Sequence, residues 1–278
     1  MLNNELIKKI EDFVYSKPRS IQEIAKHIAK NWRTADRYIN EINKNFGTIS
    51  TRVFREGTRG ALKIVYWSAV DKISSSVFQE KLEEEILRAR RKEDFSAFDI
   101  FQYIKEKNKS VRMQTEREEE KNGFNNVSSI LNSAQKQLLI FSGNLSFANM
   151  QESNKKIIDV FDSLVKRGIS IKILCRVDIA GRENVESILA LNFKHGKEMI
   201  EIKHREHPLR AIIIDNSYFD MKEVKEPTGK MHELNKKLFI FYKIKDREWT
   251  DWLTKIFWKM FSSSIDAKKR LQEMQKLR

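Results

Sequence analysis

Asn31-Trp-Arg-Thr-Ala-Asp-Arg-Tyr-Ile-Asn-Glu-Ile-Asn-Lys-Asn-Phe46 is the stretch on which the reading of this chain turns. Ala35, Ile39, Ile42 and Phe46 stand at i, i+4, i+7 and i+11, which makes one apolar stripe on a helix. Arg33, Thr34, Asp36, Arg37 and Asn40 fall on the other faces, so one side can be buried while another meets a charged or polar surface. Arg pairs bidentately with guanine and Asn with adenine, so a helix with Arg, Thr and Asn near its N-terminal end is chemically suited to base edges and phosphates. Spacing alone fits an ordinary solvated surface helix equally well, so the neighbouring segments decide between the two readings.

The flanks supply a pattern. Leu6, Ile10, Phe13 and Val14 are spaced as a first helix that ends at Lys17-Pro18. Ser20, with Glu23 three residues on, forms a capping box ahead of Ile21, Ile24, Ala25 and Ile28, which predicts a second helix of about ten residues. Ala29 to Trp32 connects it tightly to the quoted helix, whose cap is Asn31 or Thr34 and which Gly47 terminates. The period then changes to two: Ile49, Thr51 and Val53 alternate on one strand and Leu62, Ile64 and Tyr66 on the next, around the turn segment Arg55-Glu-Gly-Thr-Arg-Gly60. Three helices and a basic hairpin predict a winged helix-turn-helix over residues 1–71. The run Ile24-Ala-Lys-His-Ile-Ala-Lys-Asn-Trp-Arg-Thr-Ala-Asp-Arg-Tyr-Ile39 resembles the recognition-helix region of archaeal winged-helix regulators. The residues expected at DNA are Trp32, Arg33, Thr34, Arg37, Tyr38 and Asn40 on the helix and Arg52, Arg55 and Arg59 on the hairpin. Tyr38 has the alternative of a core position beside Ile39.

Bulk properties agree with a polyanionic partner. The 278 residues carry 53 Lys and Arg against 39 Asp and Glu, a formal net charge of +14. Residues 1–72 hold 14 of those bases against 8 acids. The single cysteine, Cys175, lies in an apolar run and has no intrachain partner, which suits a reducing cytoplasm. No signal peptide is apparent and no apolar run nears the ~18 residues of a membrane helix, so no membrane role is expected.

Residues 72–134 read as a helical linker. Phe78, Leu82, Ile86 and Leu87, then Phe95, Phe98, Phe101 and Ile104, mark narrow apolar faces among charged residues. Such faces bury against a flanking domain or a second copy of the chain, and a homodimer matches the two-fold half-sites that winged-helix proteins read.

From about residue 135 to the end, strands and helices alternate. Apolar runs at 137–142, 169–177, 199–203, 209–215 and 238–244 read as strands, and helices are expected around 157–165, 185–193 and 253–261, the last continuing to the C-terminus. Strands this apolar are covered on both faces, which predicts an α/β sandwich with a partly parallel sheet. The whole is therefore expected to be an α+β multidomain chain.

The order Leu138-Leu-Ile-Phe-Ser-Gly-Asn144, a helix ending Val165-Lys-Arg-Gly168, the strand Ile169-Ser-Ile-Lys-Ile-Leu174, and Pro208-Leu-Arg-Ala-Ile-Ile-Ile-Asp215 resembles one half of a phospholipase D-type domain. Together with the N-terminal half it is similar to the archaeal TrmB-type transcription regulators, which join a winged helix, a helical linker and a phospholipase D-like domain in that order. Active phospholipase D superfamily members use His-x-Lys, then four intervening residues, then Asp, with His as nucleophile. Arg210 and Asp215 have the Lys-to-Asp spacing here, but Pro208 occupies the His position and His207 is one residue early, on the opposite face of a strand. The resemblance therefore implies no catalytic residues, no cofactor and no metal. It leaves a relic ligand site at Ser142, Asn144, His207, Arg210 and Asp215 for a sugar or phosphate-containing effector, or a structural role for the same residues. The chain is expected to be a dimeric, sequence-specific transcription regulator of double-stranded DNA. The alternatives are a phosphodiesterase or nuclease targeted by the winged helix, and a non-specific chromatin-type protein.

Overall fold

The computed structural model describes residues 2–46, 48–55, 61–67, 75–115, 127–152, 155–227, 234 and 236–276. The chain divides into two compact units, Met1–Phe78 with Glu226–Lys237, and Gln79–Lys225 with Leu238–Arg278.

In the first unit, α1 (Asn4–Ser16), the short strand β1 (Arg19–Ser20), α2 (Ile21–His27) and α3 (Trp32–Phe46) precede the antiparallel hairpin of β2 (Ile49–Arg55) and β3 (Ala61–Trp67). Strand β1 pairs with the outer edge of β3, giving a three-stranded sheet in the order β1-β3-β2. The capping box forms as the sequence predicts: the Glu23 amide donates to Ser20 Oγ and the Ser20 amide to the Glu23 carboxylate at 2.7 Å. Asn31 is the cap of α3, its Oδ1 accepting from the Thr34 amide at 2.8 Å. Between the two helices the Lys30 amide reaches the Ala25 carbonyl at 2.9 Å, and Ala29 stands in the left-handed region at φ 52. That closure usually falls to glycine, and here an alanine carries it. Ile10, Ile24, Ala35, Ile39, Ile42, Ile49 and Val65 form the core of this unit. Phe46 departs from the expected stripe: it is 54% exposed, since it lies at the last turn of α3 beyond the reach of that core. Gly47, expected to end the helix, lies outside the described residues.

The second unit is a mixed α+β body on an eight-stranded sheet. Its elements in chain order are α4 (Ser75–Arg88, beginning in the first unit), α5 (Ala97–Phe101), β4 (Lys109–Thr115), α6 (Val127–Asn132), β5 (Gln137–Phe141), the two-residue strands β6 (Gln151–Glu152) and β7 (Lys155–Lys156), α7 (Ile157–Lys166), β8 (Ser170–Cys175), α8 (Arg182–His195), β9 (Ile200–His204), β10 (Ala211–Ile214), β11 (Tyr218–Lys225), β12 (Leu238–Ile244), α9 (Arg247–Ser262), β13 (Ile265–Asp266) and α10 (Ala267–Lys276). The sheet order is β13-β9-β8-β5-β10-β11-β12-β4. Strands β5, β8 and β9 run parallel and every other pairing is antiparallel, the partly parallel arrangement expected. Leu138, Ile140, Ile171, Ile173 and Ile202 pack in one core with Phe161, Leu164, Val185 and Ile188 of α7 and α8. On the other face Phe141 meets Phe257 of α9 edge to face, with ring centroids 5.1 Å apart.

Three expectations are corrected. Residues 72–134 are not helical throughout, because Lys109–Thr115 forms an edge strand paired along its full length with β12. The apolar residues of that region do not wait for a second copy: Leu82, Ile86, Phe98, Ile100, Phe101 and Ile104 are buried within the chain, Phe101 lying 4.9 Å from the Tyr242 ring. The last helix is not continuous either. After Ser262 the chain bends, the Ser263 and Ser264 hydroxyls donate back to Lys259 and Met260 carbonyls, and Asp266 Oδ1 then accepts from the Lys268 amide at the start of α10. Among the described residues, no helix is long and apolar enough to cross a membrane.

Candidate functional site

Helix α3 presents two unlike faces. Ala35, Ile39 and Ile42 are fully buried and Tyr38 is 4% exposed, which removes Tyr38 from the expected DNA-facing set: its position one residue before Ile39 turns it into the core. Trp32, Arg33, Arg37 and Asn40 lie toward solvent, and Thr34 sits beside the cap. The Arg33 guanidinium lies 5.6 Å from the Trp32 ring and that of Arg37 lies 5.3 Å from the Tyr38 ring, so both cations rest on aromatic groups and remain open to solvent.

A polar knot fastens this helix to the hairpin. Lys63 Nζ on β3 donates to Asp36 Oδ1 at 2.6 Å and to Asn40 Oδ1 at 2.9 Å, while Asn40 Nδ2 donates to Asp36 Oδ2 at 3.3 Å. Both ends of the Asn40 amide are thus engaged within the fold. Spacing puts Asp36 on an outer face of the helix but does not show its partnership with Lys63, which joins residues 27 positions apart. Of the hairpin arginines, Arg52 is half-buried on β2; the Arg55 side chain and all of Arg59 lie outside the described residues.

The second candidate lies where the parallel strands end. Strands β5, β8 and β9 finish at one edge of the sheet, and β10 begins there, since Ala211 pairs with Phe141. The connections are knitted by backbone bonds: Ser142 N–H donates to Leu174 O at 2.9 Å, Arg176 N–H to Gly143 O at 2.6 Å and Arg205 N–H to Cys175 O at 2.9 Å. Carboxyl ends of parallel strands are where open α/β sheets commonly hold ligands. Ser142, Asn144, His207 and Arg210 all belong to this edge. Ser142 Oγ accepts from the Leu145 amide at 3.3 Å, and the Asn144 carbonyl accepts from Asn184 Nδ2 at 3.0 Å.

Arg210 is the distinctive group. Its Nη1 donates to Leu209 O at 2.7 Å, and no carboxylate pairs with it among the described residues. Burial, then the neighbouring Arg176 charge, lowers its pKa. A Cβ on Gly143 would come within 2.8 Å of the Arg210 guanidinium, so glycine is what lets the side chain lie against this loop. A part-buried guanidinium without an ion pair is costly to keep inside the fold.

His207 behaves otherwise. It is 3% exposed, its Nε2 lies 3.0 Å from Leu174 O, and its ring meets Phe141 edge to face at 5.3 Å. A carbonyl only accepts, so Nε2 carries the proton and Nδ1 is the bare nitrogen. Among the described residues Nδ1 has no hydrogen-bond partner. Burial, helped by the Arg210 and Arg205 charges, pushes the imidazole down from 6.5 to about 3, against smaller opposing contributions from the Leu174 and Ser142 backbone.

Asp215 is not part of this edge, which corrects its grouping with Arg210. Strand β10 separates the two by five residues, about 16 Å at strand rise. At the far end the Asp215 carboxylate accepts from the amides of Gln135, Lys136 and Gln137, each at 2.8 Å, and Asp215 and Asn216 turn the chain with φ of 48 and 53. His204 is likewise occupied, its Nδ1 accepting from the Val177 amide at 2.9 Å. Among the described residues no group of three or more His, Cys, Asp or Glu could hold a metal ion. The sequence reading missed Arg176 and Arg205, each standing directly after a parallel strand, and Gly143.

No family model and no curated protein matches the chain. Its fold is similar to several solved structures. TrmBL2, described as an archaeal chromatin protein with a novel mode of DNA binding, is 15% identical with a TM-score of 0.38, over 95% of this chain and 94% of that one. Nuc from Salmonella typhimurium, a phospholipase D family member, is 14% identical with a TM-score of 0.39, over 57% of this chain and 97% of that one. NucT from Helicobacter pylori is 16% identical with a TM-score of 0.39, over 57% and 99%. These are loose likenesses, and none assigns an activity to this chain.

Proposed function

We propose that the chain is a dimeric, sequence-specific DNA-binding transcription regulator whose first unit is a winged helix. In this reading α3 enters the major groove, and Arg52, Arg55 and Arg59 of the hairpin flank the duplex as the wing. The observation that carries it is the two-faced α3: a buried apolar side, and an outer side on which Trp32, Arg33 and Arg37 stand toward solvent. Asn40, engaged by Lys63 and Asp36, serves to hold the helix on the hairpin in this reading. The α/β unit acts as the control element, with Arg210 receiving a phosphate-containing or sugar effector.

Phosphodiester cleavage is not part of the proposal. Pro208 has no nucleophilic atom, and His207 is enclosed with its protonated nitrogen committed to Leu174 O. Titration of labelled duplexes tests the DNA reading. Arg37→Ala weakens the specific site by about 1–3 kcal/mol, whereas Arg55→Ala weakens all sequences alike and lowers the salt slope by about one. Unchanged affinity in both variants would overturn it.

A further inference from the structure

The first unit carries a groove far from the outer end of α3. It has a volume of about 630 Å³ and is floored by Ile7, Tyr15, Phe46 and Trp67, from α1, the last turn of α3 and the end of β3. Tyr15 and Phe46 are 55% and 54% exposed, in a unit whose other large apolar residues are mostly buried. Tyr15 stands edge-on to Trp67 with centroids 5.2 Å apart, so the aromatic floor is set in place within a single chain. Lys8, Glu11 and Asp12 of α1 border it. Glu11 accepts from Thr48 Oγ1, but Lys8 and Asp12, one turn apart, form no ion pair among the described residues.

We propose that this groove is the two-fold interface with a second copy of the chain, seated α1 against α1 in antiparallel fashion. The groove is self-complementary. A two-fold axis across α1 near residues 10 and 11 brings Ile7 of one copy toward Tyr15 of the other, and Lys8 toward Asp12, twice over. At the Lys8–Asp12 contacts each copy then supplies the charge its partner lacks, Glu11 near the axis is held by its own Thr48 hydroxyl, and the exposed aromatics close over one another. The rest of the surface opposes self-association, because the chain carries a net charge of +14; this border has two acids against one base.

Geometry adds an independent argument, which rests on the DNA reading above. Helix α3 has 15 residues, about 22 Å from end to end. Its last residue, Phe46, lies in the groove. Two helices of this length running outward from the groove can place their N-terminal ends on the order of 34–36 Å apart, the distance between successive major grooves on one side of a duplex.

Sedimentation equilibrium of the full chain tests the interface without DNA. The wild type is a dimer. Lys8→Asp sets carboxylate against carboxylate at both contacts and Asp12→Lys sets ammonium against ammonium, so each variant dissociates, with the dimer constant weakened by about tenfold or more. An equal mixture of the two variants restores a dimer containing one chain of each kind, because both contacts then join a carboxylate to an ammonium. Circular dichroism checks that each variant is folded, and Tyr15→Ser gives a second route to the monomer through loss of the aromatic contact. A monomeric wild type, dimeric single variants, or a mixture that stays monomeric would overturn the proposal. Failure of the DNA reading is distinct: it leaves the dimer intact and appears as no duplex binding by the wild type.

Discussion

Replacing His207 by glutamine tests whether the imidazole at the strand ends is enclosed and neutral. Burial lowers its pKa from 6.5 to about 3. The sign follows from linkage: the unfolded chain takes up the proton below about 6.5 and the folded chain refuses it until about 3. Wild-type stability therefore holds above the unfolded value and falls as pH drops through this window, by up to about 1.4 kcal/mol per pH unit. Between pH 7 and pH 5 His207 alone removes about 2 kcal/mol on that slope. Asp220 opposes it, since burial raises its carboxyl to about 6 and acidification then relieves a buried charge. The comparison with His207→Gln cancels Asp220, which both proteins share, and glutamine can still donate to Leu174 O. Urea unfolding followed by tryptophan fluorescence is the assay, three of the five tryptophans lying on α9 in the same unit. His207→Gln gains about 2 kcal/mol on the wild type between pH 7 and pH 5. Parallel stabilities across that interval would show that the ring is solvated and would reopen its availability for chemistry.

Three further outcomes follow from the geometry. Ala29→Gly relieves the left-handed residue between α2 and α3 and raises stability by about 0.5–1 kcal/mol, after the added freedom of the unfolded chain is subtracted; a loss in thermal unfolding would contradict the strained turn. Asp215→Ala leaves three backbone amides without their acceptor and destabilises the α/β unit by about 2–4 kcal/mol, with no change in duplex affinity at a temperature where it is folded. Inorganic phosphate at about ten times its dissociation constant stabilises the wild type by about 1.4 kcal/mol and leaves Arg210→Met unaffected. Equal shifts in both proteins would place the anion elsewhere.

The parts of this molecule that were legible in the sequence are those specified by local chemistry. Ser20 and Glu23 announce α2, because a capping box is complete within four residues. The strands at 137–141, 170–175 and 238–244 are legible because nearly every residue in them is buried. Strands β4 and β11 were not, since Arg112, Asp220 and Lys222 interrupt them and their fully buried apolar residues, such as Phe219 and Met221, are few. Tyr38 and Phe46 show the limit of a stripe: periodicity assigns a face, but the reach of the core decides which members of that face are covered. Asp215 matched a motif spacing, yet its role is fixed by three amides nearly 80 residues earlier. Arg210 could be named from spacing, whereas its enclosure against Gly143 and lack of a carboxylate partner required the fold.

The central claim is that α3 reads sequence. Selection of bound duplexes from a randomised pool measures it directly, with the wild type beside a chain carrying Arg33→Ala and Arg37→Ala. The wild type enriches a motif of two inverted half-sites about 10 base pairs apart, and the doubly substituted chain recovers the pool unenriched. Recovery of an unenriched pool by the wild type, or of the same motif by the substituted chain, would contradict the account.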